Sequence, residues 1–239
     1  MSTKGSAKRR LGGDVYLPRT VDKLLDDYLP QASAIALDGA KGETALVADH
    51  VDGTGTALQR ATHRYLLDRA DQRALVAANP DGLLTPGTTL LDEWSRMPEV
   101  WDLVRRSVDD GAPPGSFLLT GSATPATAQG THSGAGRILS LRMRPMALHE
   151  RGEITPAVSV RQLFETETPC SGEISGETSF TLPDYLEAIE ASGFPGMMGL
   201  GRQLRSDQLS AYVQRVIDRD LPDAGYAVRR PEALRRWLA

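Results

Sequence analysis

A chain of 239 residues, 40% hydrophobic and 24% charged, has the composition of a globular protein and enough length for one sizeable core and a smaller second unit. Its net charge of −4, with both signs interspersed, argues against nucleic acid as a partner. Its longest apolar stretches are too short to cross a bilayer, which excludes a membrane-spanning helix and makes the cytoplasm the expected setting.

Residues 1–15 read as a flexible basic tail, because Lys4, Lys8, Arg9 and Arg10 lead into Leu11-Gly12-Gly13-Asp14 rather than an apolar signal segment. Val21, Leu24, Leu25, Tyr28 and Leu29 have helical spacing and predict a helix from Thr20 that Pro30 ends. Ala34 to Asp38 is a short apolar strand that runs into the turn Gly39-Ala40-Lys41-Gly42. A strand-to-glycine junction of this kind is where a phosphate loop lies. The full loop pattern needs glycines that free backbone N–H groups for phosphate, a lysine for the β and γ oxygens, and a hydroxyl for Mg²⁺. Gly39 and Gly42 are present, Lys41 precedes the second glycine, and no Gly-Lys-Ser/Thr follows: either Glu43-Thr44-Ala45 follows a four-residue deletion, or Glu43 to Gly53 replaces the missing piece and Thr54 begins the helix. The candidate nucleotide-binding residues of this turn are therefore Gly39, Lys41, Gly42 and Thr44. His50, between Asp49 and Asp52, lacks metal-site spacing, and Cys170 has no partner for a disulfide or a metal.

Tyr65 to Asp68 predicts a second strand, and Gln72 to Ala78 a helix stopped by Asn79-Pro80. The run Thr88-Thr89-Leu90-Leu91-Asp92-Glu93-Trp94 reads as a buried parallel strand ending in two carboxylates. Open α/β sheets place their ligand crevice at such carboxyl ends. In a nucleotide-hydrolysing site Asp92 holds Mg²⁺ and Glu93 polarises the attacking water. Val100, Val104 and Val108 predict a helix closed by Gly111. Ser116 to Thr120 is a further strand, ending in Thr120-Gly121-Ser122, whose hydroxyls on Thr120 or Ser122 suit a γ-phosphate sensor. A loop over Thr131–Arg137 carries Arg137, either a phosphate-reaching arginine or a surface ion pair, and Ile138 to Met143 alternates toward a last strand.

Residues 166–180 are polar and predict a linker. Thr181 caps a helix whose apolar stripe is Leu182, Tyr185, Leu186 and Ile189, ended by Gly193. Leu209, Tyr212, Val213, Val216 and Ile217 form another helical stripe. A last helix begins at Pro231 and carries Trp237, whose ring has three readings: a truncated domain, a partner surface, or packing back on the core.

The order of strand, Gly39 turn, Leu90-Leu91-Asp92-Glu93-Trp94, Leu118-Leu119-Thr120-Gly121-Ser122 and Ser133-Gly134-Ala135-Gly136-Arg137 resembles the prokaryotic AAA+-type ATP-binding proteins, a P-loop NTPase core followed by a helical domain. The resemblance implies an α/β fold, a parallel sheet flanked by helices over 16–165, and a partial helical domain over 181–239. It implies ATP and Mg²⁺ as cofactors, Asp92 as the Mg²⁺ carboxylate, Glu93 as the water-activating carboxylate, Thr120 or Ser122 as sensor, and Arg137 as an arginine finger. The phosphate loop departs from the family, so hydrolysis is expected to be impaired. The alternative is a non-hydrolysing pseudo-ATPase that engages a protein partner, or a second copy, through its helical end.

Overall fold

The computed structural model describes residues 17–39, 57–121, 134–160, 164, 175–223 and 225–238. Five strands, β1 (Ala34–Asp38), β2 (His63–Leu66), β3 (Thr89–Asp92), β4 (Phe117–Gly121) and β5 (Leu139–Arg142), form one sheet in the order β2-β3-β4-β1-β5. Every pairing is parallel. The expected α/β architecture is the one found.

Side chains alternate across each strand, so both faces of a parallel sheet must be covered. On one face Ala34, Ala36, Leu91, Phe117 and Leu119 pack with Val76, Val100, Trp101 and Val104. Those residues come from α2 (Ala70–Ala78) and α3 (Glu99–Asp109). On the other face Ile35, Leu37, Leu90 and Leu118 pack against Leu25 of α1 (Thr20–Tyr28), with Ala57 alongside. A helix on each side shields the apolar middle strands, which is why β1, β3 and β4 read as near-continuous apolar runs.

The second strand lies two residues earlier than the sequence indicates, at His63–Leu66 instead of Tyr65–Asp68. It is an edge strand, so it needs no continuous apolar run; Leu67, expected inside it, is buried just past its end. The first helix is anchored from a distance. Glu150 Oε1 accepts from the Thr20 N–H at 2.6 Å, and the buried Arg19 guanidinium donates to the Arg144 carbonyl at 2.7 Å.

Beyond the sheet lie α4 (Leu182–Ala191), α5 (Arg202–Arg215), which runs on through a π-helical turn at Val216–Asp220, and α6 (Pro231–Leu238). Thr181 and Asp184 form the expected cap, with the Thr181 N–H donating to Asp184 Oδ2 at 2.8 Å. Arg151, its side chain 2% exposed, reaches the end of α4 and donates to the carbonyls of Ala188 at 3.3 Å and Ser192 at 2.5 Å. It satisfies carbonyls that a helix terminus leaves without partners. Gly193 follows because there is no room for a side chain: an added Cβ would sit 2.7 Å from both the Met146 carbonyl oxygen and Pro145 Cβ.

The stripe of Leu182, Tyr185, Leu186 and Ile189 is exposed, and of α4 only Ala188 is buried. Trp237 is 79% exposed and does not pack back on the core.

Candidate functional site

The carboxyl ends of the strands share one edge of the sheet, and the register says which residues meet there. Asp38 lies opposite Gly121 and Arg142, while Asp92 lies opposite Thr120 and Leu66. The connection from β1 leads to the β2 edge and that from its neighbour β4 leads to β5 on the other side. These connections leave neighbouring strands in opposite directions, the strand-order reversal at which open α/β sheets place a crevice, here between β1 and β4.

Asp92 and Glu93 stand at that edge as expected. Asp92 closes β3 and is buried; its Oδ1 accepts a 2.6 Å hydrogen bond from the Thr120 hydroxyl. The two side chains share a face because parallel register places them side by side. Glu93 leaves the strand in the left-handed region, with φ 54° and ψ 43°, a conformation that costs a non-glycine residue roughly 1–2 kcal/mol. The turn that follows is drawn tight by Arg96 N–H to the Glu93 carbonyl at 2.9 Å and Met97 N–H to the Trp94 carbonyl at 2.9 Å.

Gly39 sits directly above β1. Its N–H donates to the Gly121 carbonyl at 3.2 Å, and among the described residues nothing lies within 4 Å of where a Cβ would be. Lys41, Gly42, Thr44 and Ser122 lie outside the described residues. The edge therefore brings together Gly39, Asp92, Glu93 and Thr120.

Arg137 is not brought there. It precedes β5 and so lies toward the amino end of the sheet, where its Nε donates to Asp109 Oδ1 at 2.7 Å at the end of α3. Of its two sequence readings, the surface ion pair is the one found within this chain.

Sequence reasoning missed Asp38. Its carboxyl is half-buried, Oδ1 has no hydrogen-bond partner among the described residues, and burial raises its pKa above the ordinary value while the Arg142 charge pulls it back. The signal was available, since Asp38 ends β1 as Asp92 ends β3. Trp94 was also missed. It is fully buried, with its ring centroid 4.8 Å from that of Trp101, under the turn that carries Glu93.

The donor set suits a hard divalent cation: carboxylate oxygens on Asp92 and Glu93 with a hydroxyl on Thr120, and no sulfur or imidazole. Among the described residues no group of three or more His, Cys, Asp or Glu could hold a metal. Among the same residues no helix is long and apolar enough to cross a membrane.

No curated protein and no solved structure matches the chain. Residues 43–151 match the protein-family model described as AAA domain. The match begins just past Gly42, takes in β2 to β5, and ends at the arginine that holds α4. The match spans a little under half of the chain, and together with the five-stranded parallel sheet it supports an AAA-type, P-loop NTPase-like core, a nucleotide-binding kind of domain.

Proposed function

We propose that this chain binds a nucleoside triphosphate, ATP, with Mg²⁺ at the carboxyl edge of β1, β4 and β3, and that it hydrolyses it slowly at best. The observation that carries this reading is the buried Thr120–Asp92 pair beside Glu93, one strand away from the open backbone of Gly39. In this reading Asp92 holds Mg²⁺ through water, Thr120 fixes the carboxylate and senses the γ-phosphate with Ser122, and Glu93 orients a water. Mg²⁺, when bound, neutralises phosphate charge. Gly39, Gly42 and Thr44 offer backbone and hydroxyl donors to phosphate, and Lys41 is the nearest lysine. The missing Gly-Lys-Ser/Thr removes a β/γ-phosphate cation, and slow turnover is the expected consequence. Arg137 would act as a finger only on the nucleotide of a neighbouring copy.

A second reading, a pseudo-ATPase that serves as an interaction module, is favoured by the exposed stripe of Leu182, Tyr185, Leu186 and Ile189 on α4. Calorimetry with Mg²⁺-ATP on the native chain, Asp92→Ala and Lys41→Ala separates the two. Dissociation constants on the order of 100 µM that both substitutions weaken support the nucleotide site. No heat at millimolar ATP from protein shown to be folded overturns it and leaves the interaction module.

A further inference from the structure

Glu93 and Ser192 are the two non-glycine residues with positive φ among those described, and only Glu93 lies at the candidate site. Its backbone is bracketed by two successive residues of β4. Thr120 holds Asp92, the residue before it, by the 2.6 Å hydrogen bond. Gly121 underlies Trp94, the residue after it. A Cβ added at Gly121 would lie 3.2 Å from Trp94 Cδ1 and 3.3 Å from Nε1, so the indole comes closer than a side chain there would comfortably allow. The indole also meets Trp101, with the rings tilted by 38°. Trp101 is backed by Gly134, where an added Cβ would fall 2.9 Å from its ring. The Asp92 carbonyl is fixed as well, accepting from the Leu67 N–H at 2.9 Å.

We infer that Trp94 is a positioning residue for Glu93: wedged between Gly121 and Trp101, its ring imposes the left-handed backbone that turns the Glu93 carboxylate out of the strand line at the crevice. The clamp makes the end of β4 the common support of both carboxylates. That Glu93 serves a nucleotide rests on the function proposed above, whereas the clamp itself does not. Trp94 Nε1 is buried with no hydrogen-bond partner among the described residues, so within them the indole acts through its shape and not through its N–H.

The test compares glycine with alanine at position 93, a difference that isolates the backbone because both substitutions remove the carboxylate. Thermal midpoints of Glu93→Gly and Glu93→Ala are measured with Trp94 native, with Trp94→Phe and with Trp94→Ala. The glycine variant should melt about 2–4 °C above the alanine variant when Trp94 is native. Trp94→Phe keeps a ring in the wedge and should keep that gain. Trp94→Ala releases the backbone, and the gain should vanish or reverse, because glycine loses more entropy on folding.

If Trp94 merely fills the core, Trp94→Ala lowers every midpoint and leaves the glycine gain intact, and the inference is overturned. A gain absent with Trp94 native overturns it too. Should Trp94→Ala not fold, Trp94→Leu is read by the same criteria, with a diminished gain expected. Mg²⁺-ATP titration of the native chain runs in parallel. Absence of binding removes the nucleotide reading, while the clamp still stands or falls on the glycine gain.

Discussion

Thr120 Oγ1 donates to Asp92 Oδ1 across 2.6 Å, joining the carboxyl ends of two adjacent parallel strands through their side chains. The pair is buried, with Asp92 8% and Thr120 2% exposed, so water cannot replace the lost donor freely. Thr120→Val keeps the shape and removes the hydroxyl, and we expect it to lower stability by about 1–3 kcal/mol in urea denaturation. Thr120→Ser retains the donor and should recover most of that loss. A valine variant as stable as the native chain would show that the bond has no net worth.

Glu150 and Asp38 should bend the pH dependence of stability in opposite directions. Burial is the largest influence on Glu150 and raises its pKa, but the Thr20 and Ala147 N–H groups, the Thr20 side chain and the Arg19 charge outweigh it, and the net shift is downward. A lowered folded pKa gives stability that is present above the ordinary value of 4.5 and lost as pH falls below it. Glu150→Gln should therefore be less stable than the native chain at neutral pH and draw level with it in acid.

For Asp38 the folded pKa is raised by burial, against the pull of Arg142. The folded state then holds the proton more tightly than the unfolded state, so stability falls as pH rises above the ordinary value of 3.8. Asp38→Asn should be more stable than the native chain near neutrality and show no advantage below that value. Thermal melts from acid to neutral pH test both, and parallel curves for native and variant would refute the assignment.

Arg151 is the tether between the sheet domain and α4. Replacing it with methionine keeps much of the aliphatic stem and removes the donors to the Ala188 and Ser192 carbonyls. Hydrogen bonds from a charged group contribute about 1.5–3 kcal/mol, and we expect a local loss of that size. Limited proteolysis should then cut near Ser192-Gly193 faster in Arg151→Met than in the native chain. Equal rates would mean that the Met146 N–H bond to the Gly193 carbonyl, at 2.7 Å, suffices by itself.

Gly134 has two reasons to be glycine: its φ is +64°, and an added Cβ would lie 2.9 Å from the Trp101 ring. Gly134→Ala combines left-handed strain with overpacking, and a loss of about 2–4 kcal/mol in chemical denaturation is expected. Gly136, at φ +77°, has nothing within 4 Å of its Cβ position, and its alanine variant should lose only the conformational part.

The middle of the sheet was legible because β1, β3 and β4 must be apolar on both faces, and such runs stand out among turn residues. Asp92 and Thr120 were legible for the same reason, as polar residues that end those runs. The edge was less so, since β2 is partly exposed and its His63 and Arg64 give no apolar signal. Periodicity told which side chains of α4 share a face, but not that the face is left uncovered, because covering depends on what else arrives in space. Arg137 carried no mark of its partner Asp109, 28 residues earlier. The Trp94 clamp depends on Gly121 and Gly134, which in sequence look like ordinary turn glycines.

The position of β1 has a consequence for how the protein is made. This strand leaves the ribosome before the other four, yet its neighbours are β4, beginning at Phe117, and β5, ending at Arg142. From the end of β1 at Asp38 until β4 begins at Phe117, both of its hydrogen-bonding edges must wait unpaired while β2 and β3 emerge and pair with each other. The crevice can close only after more than half of the chain has been translated. Pairings that span so much sequence form slowly, and an apolar strand left waiting is a natural target for chaperones or for mispairing with another copy.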